Sequence, residues 1–371
     1  MKRIIPILFV AVMLGLSLFW VNSADAICYK VSGSGVNSCE LPSLLEPAGP
    51  VFSEPEKPEN SLFDSFWVGR LADFANVHSE PSAAAPIVRN VGDGFLYATL
   101  RTSVENEGTR WYEINPGEWV KKDEITVVST SEFQGVQLER QPVRPFGWFV
   151  VDFRPSSVPG AEPDYDFAKL KRYHFFEVYD AVEAEDGWIW YDIGDGMWIN
   201  QQYVSIVDVL ERPADVGPDE KWVQVDLYEQ NLTAYEGDQM VYATLISTGL
   251  NRWPTYEGLF RVEYRHNYTN MAGAEGLIDY YVVEDVPYTM FFDIENEIAL
   301  HGAYWHDRFG YKHSHGCVNL PPLDAEWVYL WSEDVSPERE GYKIEAGLWV
   351  YVHESDPTHY FSNHAVSTSS N

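Results

Sequence analysis

A chain of 371 residues carries 57 Asp and Glu against 25 Lys and Arg, a formal net charge of −32. That balance argues against a nucleic-acid partner, because phosphate contact wants a basic surface. Hydrophobic residues make up 45% and aromatic residues 15%, enough for about two to three packed domains and rich in side chains that favour strands and stack on sugars or peptides.

The chain opens as an export signal does. Lys2 and Arg3 precede an uncharged apolar run from Ile4 to Val21, and Asn22-Ser23-Ala24-Asp25-Ala26 offers a small-residue cleavage site before Ile27. A signal peptide over residues 1–26 places the protein outside the cell or in the cell wall. A retained N-terminal membrane anchor is the rival reading, since the run approaches the length of a spanning helix. Cys28 and Cys39 form either a small disulfide or two unpaired thiols, because spacing alone does not fix geometry. Cys317 is the odd thiol, which in an exported chain suggests reactivity. Pro42, Pro47, Pro50, Pro55 and Pro58 recur among Ser, Glu and Gly, so residues 27–63 read as an extended tether and not as packed core.

From Phe66 the pattern is β, with short apolar runs between Gly, Asn and Asp turns. Two segments, 64–141 and 142–212, are repeats. Trp111-Tyr112-Glu113-Ile114 to Glu118-Trp119-Val120 aligns without gaps on Trp190-Tyr191-Asp192-Ile193 to Met197-Trp198-Ile199, an offset too long for a solenoid and suited to tandem small domains. Each unit resembles the bacterial SH3-like domains that accompany cell-wall enzymes. The resemblance implies wall binding; Trp111, Trp119, Trp190 and Trp198 are expected to serve the core, since aromatic pairs across a hairpin pack on each other. Residues 142–163, with Trp148 and Phe149 among prolines, read as the junction, and Pro213 to Pro218 as the next boundary.

The third domain, 219–354, begins with the alternating run Lys221 to Leu227. Strands are expected over Leu232–Glu236, Met240–Ser247, Phe260–Tyr264, Ile278–Val283, Val286–Phe292, Ile298–Leu300 and Leu348–His353. Met271 to Gly276 reads as a long turn, with a cleft lid as the other possibility. One helix follows Pro322, with Leu323, Trp327, Leu330 and Trp331 on one face. Residues 355–371 are polar and read as a disordered tail.

Between His301 and Asn319 the sequence stops being generic. A histidine followed by glycine, His301-Gly302, precedes Ser314-His315-Gly316-Cys317-Val318-Asn319. A thiol needs a base to act as a nucleophile near neutral pH. The stretch is similar to the catalytic motif of the L,D-transpeptidase (YkuD-type) family. Two further marks agree: Val225-Asp226-Leu227 with Gln230 and Leu232, and Ser247-Thr248-Gly249 with Pro254-Thr255-Tyr256-Glu257-Gly258-Leu259-Phe260, where Tyr256 replaces the usual second proline. The fold expected is mainly β: two small SH3-like β-barrels followed by an L,D-transpeptidase-type β-sandwich with one or two short helices.

The resemblance implies Cys317 as nucleophile, His301 as base and His315 as a catalytic support that shapes the loop. Gly302, Ser314, Gly316 and Asn319 would orient the imidazole, hold the loop or build the oxyanion site. Tyr288, Met290, Tyr304 and Trp305 are expected to touch substrate. The reaction implied is 3→3 cross-linking of peptidoglycan stem peptides through a Cys317 acyl-enzyme with release of D-alanine, with no cofactor. An L,D-carboxypeptidase using water, and a non-catalytic wall-binding protein, are the alternatives. His301, His306, Asp307, His313 and His315 raise a metal hydrolase, but no H-E-x-x-H or C-x-x-C spacing accompanies them. Wall endopeptidases and amidases place Cys before His, the reverse of the order here.

Overall fold

A computed structural model describes residues 27–30, 37–40, 51–57, 67–273, 279–337 and 343–356. The expected signal peptide, much of the tether, the end of the Met271–Gly276 turn and the tail beyond Asp356 lie outside the described residues. The chain separates into a unit of residues 1–49 and a unit of residues 50–371. In the first, strands Ile27–Lys30 and Asn37–Glu40 pair antiparallel with Cys28 opposite Cys39.

The second unit is mainly β with one short helix. Two seven-stranded sheets face each other. One runs in the order Gly258–Arg261, Trp349–His353, Lys221–Asp226, Asn231–Glu236, Gln239–Leu245, Val136–Leu138, Phe52–Ser53. The other includes Tyr264–Gly273, Tyr281–Asp293, Ile298–Gly302 and Val318–Leu320. Alternation decides which side chains meet between them. Val223, Val225, Leu232 and Ala234 from the first sheet pack against Met290, Phe292, Leu300 and Val318 from the second, all buried. The other face of the first sheet is buried too: Trp222, Tyr235, Ala243 and Leu245 lie against Phe146, Trp148 and Val207.

That second burial corrects two expectations. Phe146–Phe149, expected in a junction partly ordered by Trp148 and Phe149, is the central strand of a three-stranded sheet with Phe175–Glu177 and Val204–Val207. Its alternate residues serve two cores, Trp148 toward the first seven-stranded sheet and Phe149 toward its own unit. The tether also enters the fold. Phe52–Ser53 extends the first sheet beside Val136–Leu138, and the Phe52 ring meets Phe146 and Phe175 edge-on at 4.8 and 4.9 Å. Proline spacing does not reveal a strand of two residues.

The repeat is visible in hydrogen-bond register. Tyr112 pairs with Val120 and Trp111 with Lys121; one offset later Tyr191 pairs with Ile199 and Trp190 with Asn200. Gly117 and Gly196 take the same left-handed turn conformation, at φ +74° and +72°. Trp111 and Trp190 are buried, whereas Trp119 and Trp198 are half-buried.

In the third domain the two strands expected over Ile278–Val283 and Val286–Phe292 are one, Tyr281–Asp293, in which Asp285 and Tyr288 take positive φ. Tyr264–Gly273 pairs along it, so Met271–Gly273 is strand and not turn. Val318–Leu320 is a strand that the motif reading did not separate out.

The helix is Pro322–Trp331, but its buried face is Ala325, Val328 and Tyr329 together with Asp324 and Glu326, while Leu330 is 45% exposed. Apolar spacing misses this face because polar ties bury it. The Asp324 carboxylate accepts from Tyr242 Oη at 2.5 Å, from Thr244 Oγ1 and from the Gly135 N–H at 2.9 Å. Burial pushes this carboxyl up to about 7. A folded-state value above the unfolded one contributes stability below about pH 4 that is lost as pH rises through about 7. Asp324→Asn is therefore expected to flatten the decline in unfolding free energy between pH 4 and 7. Denaturant titrations across that range check it, and parallel curves for the two proteins would refute it.

Candidate active site

His301 lies in Ile298–Gly302, which runs parallel to Val318–Leu320 with His301 opposite Asn319. Cys317 immediately precedes that second strand. Side chains alternate along a strand, so Cys317 and Asn319 share the face on which His301 stands. Both His301 and Cys317 line one cleft of about 660 Å³. His301 is 2% exposed, whereas Cys317 is partly open to the cleft. His301 Nδ1–H donates to its neighbour's carbonyl, Gly302 O, at 3.2 Å. That contact fixes the tautomer and leaves Nε2 with a lone pair.

Burial sets the charge state of the pair. It pushes His301 down to about 4, against a partial opposing pull from the Gly302 carbonyl. It pushes the Cys317 thiol up to about 11, with the nearby Glu297 adding to the rise and an Ala299 backbone hydrogen bond opposing it. At neutral pH the pair rests as thiol and neutral imidazole, not as an ion pair.

The loop that carries Cys317 is bonded to the Ser247-Thr248-Gly249 segment. Ser247 and Asn319 exchange N–H···O bonds at 2.9 Å in both directions, and the Ser314 N–H donates to Thr248 O at 3.0 Å. Thr255 Oγ1 donates to Gly316 O at 2.7 Å and accepts from the Gly249 N–H at 2.9 Å. Ser314 Oγ donates to Cys317 O and accepts from the Gly316 N–H at 3.1 Å. Gly316 N–H is thereby engaged inside the loop, which removes it from the expected oxyanion donors. Gly316 sits at φ +126°, a conformation that side-chain-bearing residues rarely adopt. At Gly249 a Cβ would meet Trp253 O at 2.1 Å.

His306, which sequence reasoning left as a loop residue, is part of this support. The Arg308 N–H donates to His306 Nδ1 at 3.1 Å, and the Asn319 amide lies 2.9 Å from Nε2. A neutral imidazole accepts at one nitrogen only. Nε2 therefore carries the proton, and the amide orientation that satisfies the network presents Asn319 Oδ1, otherwise buried and unpartnered, to it. Burial, reinforced by His313 and His301, pushes His306 down to about 2, so this link stays neutral. The next residue anchors the loop to upstream segments: Asp307 Oδ1 accepts from Ser131 Oγ at 2.6 Å and from Tyr173 Oη at 2.8 Å. No sequence signal marks these ties, because their partners are more than 130 residues away.

Residues 220–352 match the family described as the L,D-transpeptidase catalytic domain, YkuD. This segment is a YkuD-type L,D-transpeptidase catalytic domain. The chain is similar to Bacillus subtilis (strain 168) YciB, which bears an L,D-transpeptidase name: 28% identity over 130 residues, 31% of this chain and 62% of that protein. The chain thus spans less than two thirds of that relative. Among solved structures, an Enterococcus faecium L,D-transpeptidase is 24% identical over 36% of this chain and 50% of its own, with a TM-score of 0.30. An L,D-transpeptidase from Mycobacterium smegmatis is 15% identical over 60% of this chain and 93% of its own, with a TM-score of 0.31.

Within the L,D-transpeptidase domain the remaining expected residues fall in different places. His315 is exposed at the cleft rim, its ring 3.9 Å from Trp253 and 5.1 Å from Tyr281. Trp305 lines the cleft, 5.6 Å from the His301 ring. Tyr288, Met290 and Tyr304 do not reach it. Tyr288 donates to Glu326 at 2.6 Å, Met290 sits in the core, and Tyr304 donates to Glu284 O at 2.5 Å. Alternation places Tyr288 and Met290 inward on the strand Tyr281–Asp293, and Tyr304 follows the strand Ile298–Gly302. Among the described residues no three His, Cys, Asp or Glu side chains converge as a metal-binding group.

Two outcomes follow from this geometry. Alkylation of Cys317 by iodoacetamide is expected to be slow at pH 7 and to rise about tenfold per pH unit toward the thiol's value near 11; a plateau with a midpoint near 7 would show a resting thiolate instead. Asp307→Ala removes the carboxylate held by Ser131, Tyr173 and Arg172 while leaving the bonds of Tyr173 and Arg172 to the main-chain carbonyl, and is expected to lower turnover about tenfold by misplacing reacting groups, with little change in thermal unfolding. An unchanged rate in steady-state assays would count against the anchor.

Proposed function

We propose that the chain is a cell-wall L,D-transpeptidase that forms 3→3 cross-links in peptidoglycan. The observation that carries this reading is that Cys317 and His301 line one cleft of a YkuD-type domain. The donor is a tetrapeptide stem whose third residue, a diaminopimelate, presents its carbonyl to Cys317.

His301 Nε2 takes the thiol proton as the sulfur bonds to that carbonyl, since the proton does not leave beforehand. The Cys317 backbone N–H supports the oxyanion, a contribution of about 3–4 kcal/mol. The imidazolium then returns its proton to the departing nitrogen, and D-alanine leaves with cleavage of the C–N bond. In the second step His301 takes a proton from an amine of another stem, which attacks the thioester. A new amide forms and the thiol is restored. The Gly302 carbonyl stabilises the imidazolium in both steps, in the place a triad's third member occupies. Export by the N-terminal segment and wall binding by the two SH3-like units belong to the same proposal, because they bring an acidic chain to a wall polymer.

Purified disaccharide tetrapeptide, followed by mass spectrometry, tests it. Wild type is expected to yield a dimer lighter by one D-alanine. Cys317→Ala should give neither dimer nor acyl-enzyme, and His301→Ala should lose about 10²- to 10⁴-fold in rate. Tripeptide alone would identify an L,D-carboxypeptidase, and untouched substrate would overturn both.

A further inference from the structure

The cleft that holds Cys317 is not built by the L,D-transpeptidase domain alone. Strands Val68–Leu71, Phe95–Thr99 and Ile125–Val127 of the first repeat belong to the same sheet as His301. The join is Phe95–Tyr97, which pairs parallel with Tyr281–Val283. It is reinforced by the Phe95 N–H to Tyr280 O bond at 2.9 Å and by Thr99 Oγ1 to Asp285 at 2.6 Å. Val68, Tyr97, Val283, Val286 and Tyr304 close a core beneath it. A Cβ at Gly94 would lie 2.7 Å from Tyr280 O, so the two backbones are in close contact. The first repeat is thus held against the cleft as a fixed wall.

That wall presents one cation. Arg70 lines the cleft and is the only Lys or Arg among the described residues that do. Its guanidinium lies 5.6 Å from the Phe95 ring centroid, and among the described residues no carboxylate is within ion-pair distance of it. The other charged groups on the lining are the carboxylates of Asp73, Asp93, Glu297 and Asp279, the last ion-paired with Arg252 at 3.1 Å. A guanidinium fork matches a planar carboxylate, and like charges elsewhere on the lining repel one. Arg70 is therefore the cation on this lining that is left without a carboxylate partner among the described residues.

We infer that Arg70, a residue of the first repeat, is a specificity-determining residue that receives the free C-terminal carboxylate of the peptide donor. The inference rests on the proposed donor reaction, in which the departing residue bears that carboxylate next to the scissile amide. It makes the first repeat part of the substrate site as well as a candidate wall-binding module.

The test compares the disaccharide tetrapeptide with its C-terminal carboxamide, using the full chain. Wild type is expected to favour the free acid about tenfold or more in kcat/KM, carried mainly by KM. Arg70→Ala should bring that ratio close to one, with Arg70→Lys in between and the unfolding temperature unchanged. Equal use of acid and amide by wild type, or an intact preference in Arg70→Ala, would overturn the inference while leaving the L,D-transpeptidase reading in place. If wild type turns over neither peptide, the reaction proposed fails, and calorimetric binding of acid and amide to Cys317→Ala still reads Arg70. Tighter binding of the acid, lost in the double variant with Arg70→Ala, supports its role; equal binding overturns it.

Discussion

The parallel ladder between Ile298–Gly302 and Val318–Leu320 decides where His301, Cys317 and Asn319 stand. It sets His301 beside Asn319 and brings Cys317 to the same face from the adjoining loop. Ser247 clamps Asn319 from the other side with paired backbone bonds. Main-chain bonds of this kind leave little freedom, so the histidine can be buried deeply enough to stay neutral while the thiol keeps contact with solvent. His306 meets Asn319 as a neutral imidazole, so this contact adds no charge beside His301.

The two repeats do more than precede the catalytic domain. The second covers the outer face of the catalytic sheet through Phe146, Trp148 and Val207, and contributes Tyr173 to the loop anchor at Asp307. The first extends the other sheet and stands over the cleft. Each sheet of the sandwich is therefore buried or prolonged by an upstream segment, which also occupies strand edges that would otherwise be open to pairing with other chains.

What the sequence made legible was local or periodic. The Ser314–Asn319 motif with its distant His301-Gly302 singles out Cys317 and His301, because a thiol that follows His315-Gly316 has few structural uses. The repeat is readable because turn glycines such as Gly117 and Gly196 must recur at the same offset. What escaped was the second partner of each surface. Alternation places Tyr288 and Met290 on a strand, but it does not say whether a cleft or a core lies on their side. The strand at Phe52, the central strand at Phe146, the anchor at Asp307 and the cation at Arg70 all depend on contacts between distant parts of the chain, for which a single sequence carries no signal.

The position of the final strand has a kinetic consequence. Trp349–His353 lies inside the first sheet, between Gly258–Arg261 and Lys221–Asp226, while Phe52–Ser53 forms the far edge of the same sheet. Pairings between strands far apart in sequence close late, since loop-closure entropy must be met before they stabilise anything, and Trp349–His353 pairs with strands that begin at Lys221 and Gly258. The sheet that packs against the His301 strand thus completes only when Trp349–His353 arrives. The burial that keeps the Cys317 thiol protonated exists only in the finished fold, so an interrupted chain would hold the motif without the site and with a more readily ionised thiol.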